Sequence, residues 1–157
     1  MRVIAGPATL ATLVGTRLGA SDFRAVEQHR IDTFAALTGD RQWIHTDTER
    51  AAAGPFGRPI AHGMLTLSIG IALLAEVFRV DGATLVLHKG FDRVRFGVAV
   101  PAGARVRLVA DLVEFKTHAR GFTEAVLAVA MELEGQTRPA YTALARMLYQ
   151  EAPACVR

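Results

Sequence analysis

Ile60-Ala61-His62-Gly63-Met64-Leu65-Thr66-Leu67-Ser68-Ile69-Gly70-Ile71-Ala72-Leu73-Leu74-Ala75-Glu76-Val77-Phe78 is the longest apolar stretch of the chain. At about 1.5 Å rise per residue a helix of this length approaches the roughly 30 Å of a bilayer's hydrocarbon core. His62, Thr66, Ser68 and Glu76 interrupt it, and polar groups of this kind are costly in lipid without partners. The stretch therefore predicts a helix buried in protein and no membrane span, ending near Arg79-Val80-Asp81-Gly82.

The residues that follow predict what buries it. Ala83 to Val98, Ala104 to Lys116, Gly121 to Glu134 and Arg138 to Tyr149 read as four long strands, rich in β-branched residues and partly alternating. The breaks are Pro101-Ala102-Gly103, His118-Ala119-Arg120-Gly121 and Gly135-Gln136-Thr137, short enough to imply antiparallel neighbours. In the second strand Val106, Leu108, Ala110 and Leu112 share one face, while Arg105, Arg107 and Asp111 share the other. That is the pattern of a sheet with one packed and one wet face. The packed face needs a cover, and the Ile60 helix is the element apolar enough to provide it. The expectation is an α+β fold, a curved antiparallel sheet wrapped around one long central helix.

Ahead of that helix, Pro7 opens a short helix to about Val14, closed by Gly15. A polar link, Ser21-Asp22-Phe23-Arg24, leads to a helix from Glu27 to Leu37, on which Ile31, Phe34, Ala35 and Leu37 recur at helical spacing. Thr38-Gly39 stops it. Asp40 to Arg58 reads as mostly irregular, with a helical turn at Asp47 to Ala53.

The chain has 157 residues, 51% of them hydrophobic and 21% charged. This fits one domain spanning 1–157 with enough apolar surface to fold alone, and excludes a disordered segment. Eighteen Lys plus Arg against fifteen Asp plus Glu leave a net charge of +3, far from the dense basic surface of a nucleic-acid binder. Cys155 is the one cysteine, so an internal disulfide or multi-cysteine zinc site is excluded, and a reducing compartment, the cytoplasm, is expected. Met1-Arg2-Val3-Ile4 is broken by Gly6-Pro7 and followed by Arg17, so it does not read as a secretory signal.

Polar chemistry concentrates just before the long helix, in Thr38-Gly39-Asp40-Arg41-Gln42-Trp43-Ile44-His45-Thr46-Asp47. Side chains five apart diverge on a continuous helix. Because Gly39 breaks the helix, Asp40 and His45 can instead converge across a turn, as a pair able to hold and deprotonate a water. Equally, Asp40 extends a turn and His45 is a hydrogen-bonded packing residue. A second candidate is Ala61-His62-Gly63-Met64 at the helix start, where free N–H groups suit an oxyanion and Gly63 admits a carbonyl close to the backbone. The plainer reading makes Gly63 a spacer for tight packing and His62 a supporting or structural histidine rather than a base. Arg93 and Arg95, with Lys89 and Arg58, either meet substrate phosphates or are solvated strand positions. Asp47 and Glu49 read as a cap and first-turn charge of a short helix.

Phe34-Ala35-Ala36-Leu37-Thr38-Gly39-Asp40-Arg41-Gln42-Trp43-Ile44-His45 and Ala52-Ala53-Gly54-Pro55-Phe56-Gly57-Arg58-Pro59-Ile60-Ala61-His62-Gly63-Met64 together resemble the signature of the MaoC-like family of (R)-specific enoyl-CoA hydratases and 3-hydroxyacyl-thioester dehydratases, and in particular its NodN-like branch. Val94-Arg95-Phe96 and Pro101-Ala102-Gly103-Ala104-Arg105-Val106 fit as well, so the resemblance spans roughly residues 15 to 150. It implies a hotdog fold. It also implies that Asp40 and His45 are the catalytic pair and that the Gly63 N–H binds the thioester oxygen. Many members carry Asn-Pro two and three residues after the aspartate, where this chain has Gln42-Trp43. Some place a serine in the buried helix; that position matches Ile71, and Ser68 lies one turn earlier, leaving its substrate role open.

The implied activity is reversible hydration of 2-enoyl thioesters, with no metal and no cofactor beyond the coenzyme A or phosphopantetheine of the substrate. The partners expected are an acyl-CoA or acyl-carrier-protein thioester and a second copy of the chain. Three rivals remain: a hotdog thioesterase, a noncatalytic acyl-binding subunit, and a metal hydrolase built on Asp40, His45, Asp47 and His62.

Overall fold

The computed structural model describes residues 1–151; Cys155 lies outside the described residues. The elements in chain order are β1 (Arg2–Ile4), a 3₁₀ turn (Pro7–Leu13), β2 (Arg17–Ala20), β3 (Arg24–Ala25), α1 (Gln28–Thr38), α2 (Trp43–Thr46), α3 (Thr48–Ala52), α4 (Gly63–Val77), β4 (Phe78–Val80), β5 (Ala83–Phe96), β6 (Arg105–Thr117), β7 (Phe122–Leu133) and β8 (Tyr141–Glu151). A main sheet in the order β2-β6-β7-β8-β5, with β3 also pairing β6, wraps around α4.

The alternation in β6 comes out as expected: Val106, Leu108, Ala110 and Leu112 are buried in one apolar cluster with Leu65, Ile69, Leu73 and Val77 of α4. No helix among the described residues is long and apolar enough to cross a membrane.

α4 differs from expectation at both ends. It starts at Gly63 rather than Ile60, because Ile60 and Ala61 are extended: Ile60 bridges Pro101, and the Ala61 N–H donates to the Val100 carbonyl at 2.8 Å. It stops at Val77, and Phe78–Val80 becomes β4, parallel to β1.

The sheet order holds a larger difference. β6, β7 and β8 are antiparallel in sequence order, but β5 pairs with β8 and not with β6. The break between β5 and β6 is short, yet its hydrogen bonds are spent elsewhere. Ala102 N–H donates to Pro59, Gly103 N–H to Val26, and Val26 N–H to Ala104. This link crosses the end of the sheet and leaves β5 as an edge.

Apolar side chains are exposed along that edge and on the outer stripe of α4. Val86, Met64 (57% exposed) and Ile71 (42%) are among them. The outer sheet face instead carries charge. Glu124 of β7 is 2% exposed and accepts from Arg146 Nη1 at 2.8 Å and Lys89 Nζ at 3.1 Å, with His118 Nε2 at 2.8 Å. These bonds, Arg146 foremost, outweigh the cost of burial and hold its carboxyl at about 2, below the ordinary 4.5. A depressed acid stabilises the fold above its unfolded pKa, and that contribution is lost as pH falls through the interval between the two values. Glu124→Gln is expected to lower stability by about 1–3 kcal/mol at neutral pH. The difference from wild type should shrink between pH 4.5 and 2; denaturant unfolding across that range checks it.

Candidate active site

Gly39 takes a left-handed conformation (φ 79°) and its N–H caps α1 on the Ala35 carbonyl. This reversal releases Asp40 from the helical path. Three residues further on the chain forms one helical turn, α2, which carries His45. The sequence offered no period for so short an element, and this region was expected to be irregular. Gln28 of α1 holds it in place, its Nε2 donating to the His45 carbonyl at 2.8 Å.

The His45 side chain is 6% exposed, and its Nδ1 lies 2.7 Å from the Ile60 carbonyl oxygen. A carbonyl only accepts, so Nδ1 carries the proton and Nε2 keeps its lone pair. Burial pushes the imidazole pKa below 6.5 against the opposing pull of the Ile60 bond, so the ring is neutral at physiological pH. The tautomer and charge are those of a general base.

His62, 3% exposed, immediately precedes α4 and stacks on His45 with ring centroids 3.7 Å apart. Its Nε2 lies 2.9 Å from the Asp40 carbonyl oxygen. It therefore pins the Asp40 backbone beside His45. A supporting or structural histidine is what the sequence reading gives this position; the carbonyl it clamps is not announced by the spacing of Asp40 and His62. Gln42 Nε2 donates to the Asp40 carboxylate at 3.2 Å, which gives a use to the residue where the family often has Asn.

One potential donor atom from each of Asp40, His45 and His62 lies within 4.8 Å of the others. One nitrogen of each imidazole already serves a backbone carbonyl, which among the described residues leaves Nε2 of His45 and the buried, unpartnered Nδ1 of His62, beside a carboxylate that already accepts from Gln42. Asp47 does not join them. Its Oδ1 caps α3 by accepting from the Arg50 N–H at 3.0 Å, which corrects the four-ligand hydrolase set.

A cavity of about 350 Å³ opens beside His45. Gly63, Thr66, Phe56, Phe96 and Ala140 line it, so the first residue of α4 and the imidazole face one space. N–H groups of the first helical turn have no partner within the helix. A Cβ at Gly63 would meet the Phe96 ring at 3.0–3.1 Å, so glycine is what lets the backbone present itself there.

Asp40, His45 and Gly63 are thus brought together. The other sequence candidates lie elsewhere. Ser68 is on the exposed stripe of α4, its Oγ donating to the Met64 carbonyl at 2.8 Å. Arg93 has a left-handed backbone (φ 53°) within an irregular stretch of β5 and lines a separate groove of about 330 Å³ on the outer sheet face with Arg17, Asp111 and Glu132. Arg95 donates to the Val94 carbonyl at 3.0 Å, Lys89 is paired with Glu124, and Arg58 is exposed on the loop before α4. Among the described residues these four cations form no common phosphate cradle.

A family model described as a MaoC like domain matches residues 9–134. The chain is 41% identical over 143 residues to 3-hydroxyacyl-thioester dehydratase Z of Mycobacterium tuberculosis, covering 91% of this chain and 95% of that protein. It is 40% identical over 138 residues to Nodulation protein N of Rhizobium leguminosarum bv. viciae, covering 87% and 86% respectively. Among solved structures, a monoamine oxidase regulatory protein from Archaeoglobus fulgius superposes with a TM-score of 0.76 at 26% identity, covering 97% of this chain and 98% of that one. The chain belongs to the MaoC-like domain family, and its sheet wrapped around a central helix is that family's hotdog fold.

Proposed function

We propose that the protein is a hydro-lyase that adds water to 2-enoyl thioesters to give (R)-3-hydroxyacyl thioesters, and runs the reverse dehydration, in fatty-acid or related acyl metabolism. The observation that carries this reading is the convergence of a neutral, buried His45 with Asp40 beside a cavity headed by Gly63. Its relatives' names, a 3-hydroxyacyl-thioester dehydratase among them, point the same way.

Hydration needs a base for the water, a proton for the α-carbon and a donor for the charge that develops on the thioester oxygen. Asp40 and the His45 Nε2 hold the water between them. One takes its proton as the water oxygen bonds to the β-carbon, and the electron pair of the double bond moves through the α-carbon onto the thioester oxygen at the Gly63 N–H. The enolate then collapses as the pair returns a proton to the α-carbon. These protein groups suffice without a metal, and coenzyme A or phosphopantetheine enters only as part of the substrate. The chemistry and the single cysteine suit a cytoplasmic enzyme.

The exposed apolar stripe of α4 and the unpaired edge of β5 support assembly with a second copy. Leu85 and Leu87 are exposed on β5 and Met64 on α4, and a bare sheet edge is a template for pairing. Leu87→Lys on that edge is expected to shift a dimer to monomer in analytical ultracentrifugation, and an unchanged sedimentation coefficient would count against this interface.

Asp40→Asn and His45→Ala should each slow crotonyl-CoA hydration by about 10²–10⁴-fold while circular dichroism stays that of wild type. Recording free thiol release alongside loss of enoyl absorbance separates this activity from thioester cleavage. Burial favours the neutral base, so kcat/KM should hold as pH falls through the ordinary histidine value of 6.5 and decline only below it. An acidic limb centred at or above 6.5 contradicts the assignment of His45.

A further inference from the structure

Three spaces follow one another along the seam between α4 and the β5–β8 half of the sheet. The first is the catalytic cavity, with Thr66 of α4 and Phe96 of β5 in its wall. The second is a gap of only about 10 Å³ beside Gly70, Phe91 and Tyr141. The third, about 390 Å³, is lined by Leu74, Val86 and Met147. Read along α4 the positions are 66, 70 and 74; along the oppositely running β5 they are 96, 91 and 86. The second and third spaces share Ile71, Leu74 and His88 in their walls, and Tyr141 of the second meets Phe96 of the first.

Tyr141 stands at this junction. The side chain is 1% exposed, and its hydroxyl lies so close to the Gly70 backbone that a Cβ there would overlap it. Phe96 meets its ring edge-on, with centroids 6.5 Å apart. The gap left beside it has about the volume of a single water probe. Gly70 is what allows a tyrosine to fill the space between helix and sheet. Beyond the plug, the third space is not a hydrocarbon pocket throughout. His88 reaches it with a buried Nε2 that has no protein partner among the described residues, a polar atom that an alkyl tail arriving there would leave unsatisfied.

We propose that Tyr141 ends the acyl-chain site and is a specificity-determining residue: the protein takes short acyl thioesters of crotonyl length and rejects those of decenoyl length. The proposal rests on the thioester reading of the catalytic cavity. It adds to that reading where the chain stops and which side chain stops it. Opening the plug joins the first space to the third and provides room for a longer tail.

The test compares wild type, Tyr141→Leu and Tyr141→Phe on crotonyl-CoA and 2-decenoyl-CoA, with calorimetric binding of butyryl-CoA and decanoyl-CoA as a readout independent of chemistry. Wild type is expected to favour the short substrate in kcat/KM, and the short ligand in Kd, by about tenfold or more. Tyr141→Leu should raise the long-to-short ratio by about tenfold. Tyr141→Phe retains the ring and removes only the atom against Gly70; it should raise the ratio by about threefold and decides the matter if the leucine variant fails to fold. Hydration by wild type without discrimination of length, or an unchanged ratio in the folded variants, overturns the role of Tyr141 and leaves the hydratase reading standing. Length-selective binding that relaxes in the variants, with no hydration of either substrate, supports Tyr141 as the plug and overturns the hydratase reading.

Discussion

The hydrogen bond between the His45 ring and the Ile60 carbonyl, 2.7 Å long, ties the chemistry of the site to its architecture. Ile60 is extended just before the central helix, and its own N–H returns to the Ile44 carbonyl. The same few residues therefore receive the His45 imidazole, anchor the turn that carries it, and lead the first peptide of α4 to the cavity. Were Ile60 helical, as the apolar run alone suggests, its carbonyl would be drawn toward the helix ladder. The ring would then lose the partner that sets its tautomer. Two residues of non-helical backbone are what fix the His45 tautomer.

Around that anchor the polar groups are arranged by what each must give up. His62 spends one nitrogen on the Asp40 backbone, Gln28 reaches from α1 to the His45 carbonyl, and Gln42 donates to the Asp40 carboxylate. Asp40 and His45 are thereby held by hydrogen bonds from three neighbouring side chains, onto their backbone carbonyls or the Asp40 carboxylate. Such support is what keeps a constellation within the small tolerance that acid–base chemistry demands. The positive charges have no comparable place in the site. Lys89 and Arg146 are drawn to Glu124 on the outer face, so the excess of +3 describes the sheet surface more than the cavity.

The central helix was legible as a long apolar run whose His62, Thr66, Ser68 and Glu76 call for protein and not lipid around them, and the four long strands were legible through β-branched composition and partial alternation. The pairing of Asp40 with His45 was legible because Gly39 is a conspicuous stop. What stayed hidden has physical reasons. A one-turn helix such as α2 has no period to detect. A short connection usually marks a hairpin, but the residues between β5 and β6 bond to Pro59 and Val26 instead, and a linear pattern does not disclose that long-range competition. The placement of Arg93 depends on a left-handed backbone that arginine rarely adopts. The His62 clamp joins a side chain to a carbonyl, and every residue has a carbonyl.

Both ends of α4 are fastened by backbone. At the front, Ala61 donates to Val100; at the rear, β4 runs parallel to β1, and Asp81 donates to the Ile4 carbonyl. A helix clamped in this way is a rod with its axial position set. It cannot slide to make room for a ligand, so accommodation has to come from side-chain rotation along its flank. Shape recognition at the site is then a matter of rotamers against a fixed rail, and substitutions on that flank recut the recess without moving the peptide at its head.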